Sequence, residues 1–141
     1  MVSISLAETI KASHEKVFNF LSDFEKAPQY SSYWKSVKLV KREGNTVTYE
    51  TVAEAEGRRM KAVTKITAQP NQRLDAETVD GDGKGTRMCF MLATVPEGTQ
   101  LSLQGEIVLP TFAKLLGSIV KGRIESGMKQ ELSTIKKALE S

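Results

Sequence analysis

The chain has 141 residues, 40% of them hydrophobic and 26% charged, which is the composition of an ordinary globular protein. Twenty basic against seventeen acidic residues leave a formal charge of +3, too small an excess to predict DNA binding. Because Cys89 is the only cysteine and no run of about 18 apolar residues occurs, the composition excludes an internal disulfide and a membrane-spanning helix. With no signal-peptide pattern at the N-terminus, we expect one cytoplasmic domain over residues 1–141.

The first third of the chain predicts one strand and two helices. Val2, Ile4 and Leu6 alternate with small or polar residues, which indicates a strand over VSISLAETI. Ser13 can cap a helix that begins at the next residue. Ala27-Pro28 then predicts the start of a short second helix, because proline suits the first helical turn.

The middle of the chain alternates with a period of two. Six such segments lie between residues 35 and 109, separated by turns rich in glycine, proline and asparagine, so we predict an antiparallel meander. The alternation predicts an inner face made of Met60, Ala62, Thr64, Ile66, Met88, Phe90, Leu92, Leu101, Leu103, Gly105, Ile107 and Leu109.

After Pro110 the period returns to 3.6, which predicts one long C-terminal helix. Its N-terminal half is apolar over a wide arc that includes Phe112, Leu116 and Val120. The helix also contains Gly117, Gly122 and Gly127, which close packing, a kink or cavity space would explain. The predicted fold class is α+β, a helix-grip fold. A curved seven-stranded antiparallel sheet wraps around this helix, with two short helices after strand one. The helix cannot fill the whole concave face, and the remaining space is the predicted binding site.

This order of elements, together with VFNFLSDFEKAPQYSSYWKSVKLVKREGN, resembles the helix-grip superfamily of START-like, polyketide cyclase-like and birch-pollen-allergen-like proteins. The similarity is carried by Val17-Phe18, Leu21-Ser22-Asp23, Glu25, Pro28-Gln29-Tyr30, Trp34-Lys35-Ser36-Val37 and the run VKREGN. Within the superfamily the chain looks most like the branch of coenzyme Q-binding proteins and ribosome-association toxins. The resemblance implies a cavity for an apolar ligand, and the toxin-like branch would imply ribosome binding.

Six of the nine aromatic residues lie between residues 17 and 34. Tyr30, Tyr33 and Trp34 fall on a connection that enters strand two, where aromatic rings with a polar atom suit the mouth of a pocket. A satellite cluster beneath that connection is the alternative. The full set of predicted ligand-binding residues is Tyr30, Tyr33, Trp34, Tyr49, Met60, Met88, Phe90, Leu103, Phe112, Leu116 and Val120.

Glu8 and Tyr49 are two weak catalytic candidates. Each lies at a strand position whose side chain is predicted to face the interior. Glu8 could act as an acid or base in an apolar cavity, or it could lie at the rim where strand one ends. Tyr49 could bond a ligand oxygen, or it could be a core tyrosine. The spacing of histidine, cysteine and carboxylates predicts neither a metal site nor a cofactor.

The preferred function is therefore binding or transport of a hydrophobic small molecule such as a lipid, an isoprenoid quinone or a polyketide. A transient membrane contact is compatible with that function. A cyclase- or dehydratase-like enzyme acting on an aromatic or polyketide substrate is one alternative. A ribosome- or protein-binding module is another, because basic residues cluster at 35–42 and at 58–61.

Overall fold

A computed structural model describes residues 2–55, 57–109 and 118–140. Its strands are β1 (Val2–Ile10), β2 (Trp34–Glu43), β3 (Thr46–Ala55), β4 (Arg58–Gln69), β5 (Arg73–Gly81), β6 (Arg87–Val95) and β7 (Gly98–Ile107). Its helices are α1 (His14–Ser22), α2 (Ala27–Tyr30) and α3 (Ser118–Glu140), with a single 3-10 turn, Phe24–Lys26, between α1 and α2. The structure confirms the predicted α+β helix-grip architecture.

All seven strands form one antiparallel sheet in the order β1-β7-β6-β5-β4-β3-β2. Each of β2 to β7 pairs with the strand that precedes or follows it in sequence, as short hairpin turns require, and β7 closes onto β1. The Leu6–Leu103–Phe90–Leu74 row crosses four strands on one face. This register confirms the predicted inward parity of β6 and β7.

The helix ends follow local sequence signals. Ser13 caps α1 as predicted, because its side chain accepts a hydrogen bond from the Lys16 backbone N–H at 3.2 Å. Pro28 lies in the first turn of α2, where a missing N–H costs nothing.

Two packed clusters occupy opposite parts of the inner face. The first, called here the end cluster, joins β1, α1 and β7 to the C-terminal half of α3, and its buried members are Ile10, Val17, Leu101, Leu132, Ile135 and Leu139. The second, the edge cluster, lies beneath α2 and contains Ala27, Val37 and Tyr49. Tyr30 packs against both clusters and therefore joins them.

The glycines of α3 do not have the packing role considered above. Gly122 and Gly127 are exposed, and a Cβ atom at either position would meet no atom within 4 Å. Neither position answers to close packing, and Gly117 lies outside the described residues.

Candidate functional site

The inner face of the sheet is unevenly packed. Ile4, Leu101 and Leu103 on β1 and β7 are 3%, 0% and 4% exposed, so this side of the inner face is closed. Four inner-face residues of β4, β5 and β6 that belong to neither packed cluster are half-buried; they are Met60, Ala62, Ala76 and Met88, called here the central strip. Thr64, on the same face of β4, is 8% exposed. The candidate site is the inner face of the sheet at this strip.

The predicted lining residues separate into packed and less packed groups. Leu103 is buried, and Phe90 packs against the end cluster. Met60 and Met88 lie in the central strip, where flexible thioether side chains can adapt to a guest molecule. Val120, in the first turn of α3, is 8% exposed. Phe112 and Leu116 lie outside the described residues.

The aromatic residues that precede β2 form a connected set of ring contacts. The Trp34 ring lies edge-on to Phe24 at 5.0 Å and to Tyr33 at 4.9 Å. Tyr30 lies 4.8 Å from Phe20. Trp34 and Tyr30 pack against the edge cluster, whereas Tyr33 is 37% exposed. Of the three predicted mouth residues, Tyr33 is therefore the one at the surface.

Tyr49 is 3% exposed, and its ring lies edge-on to Phe24 at a centroid distance of 5.3 Å. Burial raises the pKa of Tyr49, with a further contribution from Glu25, so the phenol is neutral near pH 7. The described part of the chain provides no hydrogen-bond partner for its hydroxyl.

Glu8 is at the junction of β1 and α3, and it is not isolated. The Lys136 ammonium lies 3.3 Å from Glu8 Oε1 and 3.9 Å from Glu140 Oε2. A carboxylate that already has a cationic partner is a weaker acid or base candidate than an unpaired one.

A different carboxyl, which our sequence analysis missed, lies beside the segment that leads into β2. Glu131 of α3 receives a hydrogen bond from the Ser31 hydroxyl at 2.9 Å. The signal was present in the sequence: at 3.6 residues per turn, Glu131 falls within about 20° of Val120 and Ile124 on the helix. It therefore interrupts the apolar stripe of α3.

Burial raises the pKa of Glu131, although the hydrogen bond from Ser31 opposes the shift. Two tyrosines experience its charge. Burial, followed by the charges of Glu131 and Asp23, raises the pKa of Tyr30 to about 12. Although 37% of Tyr33 remains exposed, partial burial of its phenol and then the charge of Glu131 also raise its pKa. A carboxyl and two neutral phenols thus lie together before β2, where Trp34 lies opposite Ala53, the residue that pairs with Met60 of the central strip.

One groove of the described surface is lined mainly by polar residues of the outer face of the sheet, and also by Ile4, Ala76 and Met88. It measures about 900 Å³, and side chains of alternating charge line it, including Lys65, Asp75, Glu77, Arg87 and Glu106. Cys89 also lines this groove, and it alternates with Met88 and Phe90 along β6. This groove is open and polar, so it is a poor match for an apolar ligand.

Within residues 2–55, 57–109 and 118–140, no three or more histidine, cysteine or carboxylate side chains come together as a metal site would require. Over the same ranges, no helix has the length and hydropathy needed to span a bilayer.

Comparisons with solved structures show the fold. A protein of Thermus thermophilus superposes with a TM-score of 0.83 at 21% identity, over 97% of this chain and 96% of that one. The Zhui aromatase/cyclase of Streptomyces sp. R1128 gives 0.81 at 8% identity, over 98% and 93%. A START superfamily protein of Mycobacterium smegmatis gives 0.71 at 22% identity, over 98% and 94%.

No curated protein matches the chain in sequence. A family model does, over residues 1–140, and its description is "Polyketide cyclase / dehydrase and lipid transport". The chain belongs to this family of polyketide cyclases, dehydrases and lipid transport proteins.

Proposed function

We propose that this protein binds a hydrophobic small molecule between α3 and the central strip, and that it carries the molecule without transforming it. The observation that carries the proposal is the contrast on the inner face. Leu101 is fully buried, whereas Met60 and Met88, on the same face, belong to neither packed cluster. A well-packed core would bury all three to a similar degree. The family, which includes lipid transport proteins, supports the same conclusion.

Titration with N-phenyl-1-naphthylamine, a neutral fluorescent apolar probe, tests the proposal. We expect saturable binding of one probe per chain. The variant Met88→Lys places a charge in the central strip and should abolish binding. Thr67→Lys, at an exposed position on the outer face of β4, is the matched control and should leave binding unchanged.

Two results would overturn the proposal: no saturable probe binding by the folded wild-type protein, or equal binding by both lysine variants. Circular dichroism checks that Met88→Lys is folded, and Met88→Ala provides a variant that enlarges the space without adding charge. Native mass spectrometry of the protein from its own source, followed by organic extraction, then distinguishes a lipid, an isoprenoid quinone and a polyketide.

A second candidate function is cyclase- or dehydratase-like chemistry on an aromatic or polyketide substrate. The observation that favours it is the carboxyl of Glu131, whose raised pKa and neighbouring phenols suit an acid catalyst. Turnover of a supplied polyketone that is lost in Glu131→Gln and retained in Glu8→Gln would favour this enzyme. Binding without turnover in the wild type would favour the carrier.

The basic residues proposed for a ribosome contact are partly neutralised by their neighbours. Lys41 pairs with Glu43 at 2.9 Å, and Arg59 lies 3.8 Å from Glu54. Interleaved charges of both signs are typical of a solvated sheet surface. We therefore rank ribosome binding below the two small-molecule functions.

A further inference from the structure

Glu131 occupies a position where an apolar side chain is expected. It lies on the helix face of Val120 and Ile124 and is followed directly by Leu132, a buried member of the end cluster. It therefore lies next to the packed half of α3. Its partner Ser31 also bonds the backbone N–H of Trp34, and Trp34 lies opposite Ala53, the residue that pairs with Met60 at one end of the central strip.

The hydrogen bonds around Ser31 orient the Glu131 carboxyl. Ser31 is 7% exposed, and its hydroxyl oxygen accepts hydrogen bonds from the backbone N–H groups of Tyr33 at 3.0 Å and Trp34 at 3.3 Å. With its oxygen engaged in this way, the hydroxyl hydrogen is directed to Glu131 Oε1 at 2.9 Å. One carboxyl oxygen is thereby held in place. The other, Oε2, forms no hydrogen bond or ion pair within the described part of the chain.

The surroundings of this carboxyl contain hydroxyl groups and no cationic partner. No lysine or arginine within the described ranges forms an ion pair with Glu131. Its neighbours are Tyr30 and Tyr33, whose hydroxyls also lack hydrogen-bond partners there. Such a group can exchange hydrogen bonds with a neutral oxygen, but it repels a second carboxylate.

We propose that the Glu131–Ser31 pair forms the polar end of the binding space and selects neutral apolar molecules with a hydroxyl or ketone oxygen over fatty acids and other carboxylates. This inference rests on the proposed function, since it concerns the same site. A ligand hydroxyl would donate to the carboxylate, and a ketone would accept from a protonated Glu131 or from a tyrosine hydroxyl. A fatty acid would bring its own negative charge to a carboxyl that has no cation to balance it.

Two ligands of equal chain length test the inference, 1-dodecanol and dodecanoate. Each displaces N-phenyl-1-naphthylamine from the protein at about pH 8, where a free fatty acid is ionised. For the wild type we expect dodecanol to compete at a concentration at least about tenfold lower than dodecanoate. The variant Glu131→Gln keeps the size and hydrogen-bonding capacity of the side chain while removing its charge.

In Glu131→Gln we expect dodecanoate to gain about tenfold in affinity, while dodecanol changes by less than about threefold. Glu125→Gln is the control because it removes a carboxylate from the same helix, at a side chain that lies 3.9 Å from Lys121. It should leave the dodecanol-to-dodecanoate ratio unchanged. An unchanged ratio in Glu131→Gln, with probe binding intact, would overturn the inference and leave the carrier function standing. Loss of saturable probe binding in the wild type would instead remove the function itself.

Discussion

The Ser31 hydroxyl lies 2.9 Å from Glu131 Oε1 and thereby connects the segment before β2 to α3, 100 residues later in the chain. The same oxygen of Ser31 receives two backbone N–H groups. The Ser31 side chain thus accepts the hydrogen bonds of two backbone N–H groups at the start of β2. It also positions the carboxyl that we place at the end of the binding space.

Replacing Ser31 with alanine should lower the free energy of unfolding by about 1–3 kcal/mol, because it leaves two backbone donors and one carboxyl oxygen without their partner. Urea denaturation measures the change. Ser5→Ala, at an exposed position of β1, should cost less than about 0.5 kcal/mol. Equal effects of the two substitutions would contradict the structural role of Ser31.

The free energy of unfolding should change with pH partly because Glu131 titrates. Its pKa is raised in the folded protein above the ordinary value of 4.5, so the folded state holds the proton over a pH range in which the unfolded state has lost it. The free energy of unfolding contributed by this group must therefore fall as the pH rises from about 4.5 through the folded pKa.

Glu131→Gln removes this contribution, so the stability of the variant relative to the wild type should rise between about pH 4.5 and pH 8. Tyr30 and Tyr33 remain neutral over this range, because their pKa values are raised. Denaturation at several pH values measures the difference. A difference that is constant with pH would show that Glu131 titrates as an ordinary exposed carboxyl.

The two exposed glycines of α3 lower helix stability without a packing benefit. Replacing Gly122 or Gly127 with alanine should raise the free energy of unfolding by about 0.5–1 kcal/mol each, since the added Cβ meets open space. Thermal denaturation measures the gain.

Gly105 provides the opposite case. A Cβ at this position on β7 would collide with the Arg87 carbonyl oxygen and would lie 2.6 Å from the Met88 sulfur. Gly105→Ala should therefore destabilise the protein by about 1–3 kcal/mol. If it were as harmless as Gly122→Ala, Met88 would not lie over this glycine.

The central strip should tolerate truncation better than the end cluster. Leu101 is fully buried, and Leu101→Ala should cost about 2–5 kcal/mol of stability. Met60→Ala should cost less than about 1.5 kcal/mol, because Met60 is half-buried and has no place in either packed cluster. Comparable losses, measured by urea denaturation, would indicate that the strip is an ordinary core.

Tyr49→Phe separates a structural role from a ligand-binding role. The hydroxyl has no partner in the described part of the chain, so its removal should change the stability of the empty protein by less than about 0.5 kcal/mol. If the hydroxyl bonds a ligand oxygen, displacement of the fluorescent probe by 1-dodecanol should weaken several-fold. A variant with unchanged stability and unchanged dodecanol affinity would remove Tyr49 from the site.

The architecture could be predicted from local patterns because each one depends on neighbouring residues. Alternation with period two, interrupted by turn residues, is sufficient for successive hairpins, and the apolar stripe ending at Leu139 is sufficient for a packing helix. The cap at Ser13 depends only on a contact three residues away. Within the described residues, the element boundaries fall close to their predicted places for this reason.

The site could be predicted only in outline. Inward parity identified Glu8 and Tyr49, but it could not reveal that Lys136 lies beside Glu8, since that contact spans 128 residues. Glu131 was missed because a glutamate in an apolar stripe has no local partner to explain it. Its hydrogen-bond partner, Ser31, lies 100 residues earlier in the chain.

The sequence alone therefore determined the order of strands and helices, the antiparallel meander and the existence of an inner apolar face, because periodicity and turn chemistry act over a few residues. Only the tertiary structure decided which part of that face is packed and which part stays open. Which part is packed depends on where α3 contacts β1 and α1, and the polar end that we propose depends on the meeting of Ser31 with Glu131. Both are contacts between distant parts of the chain, which no local pattern encodes.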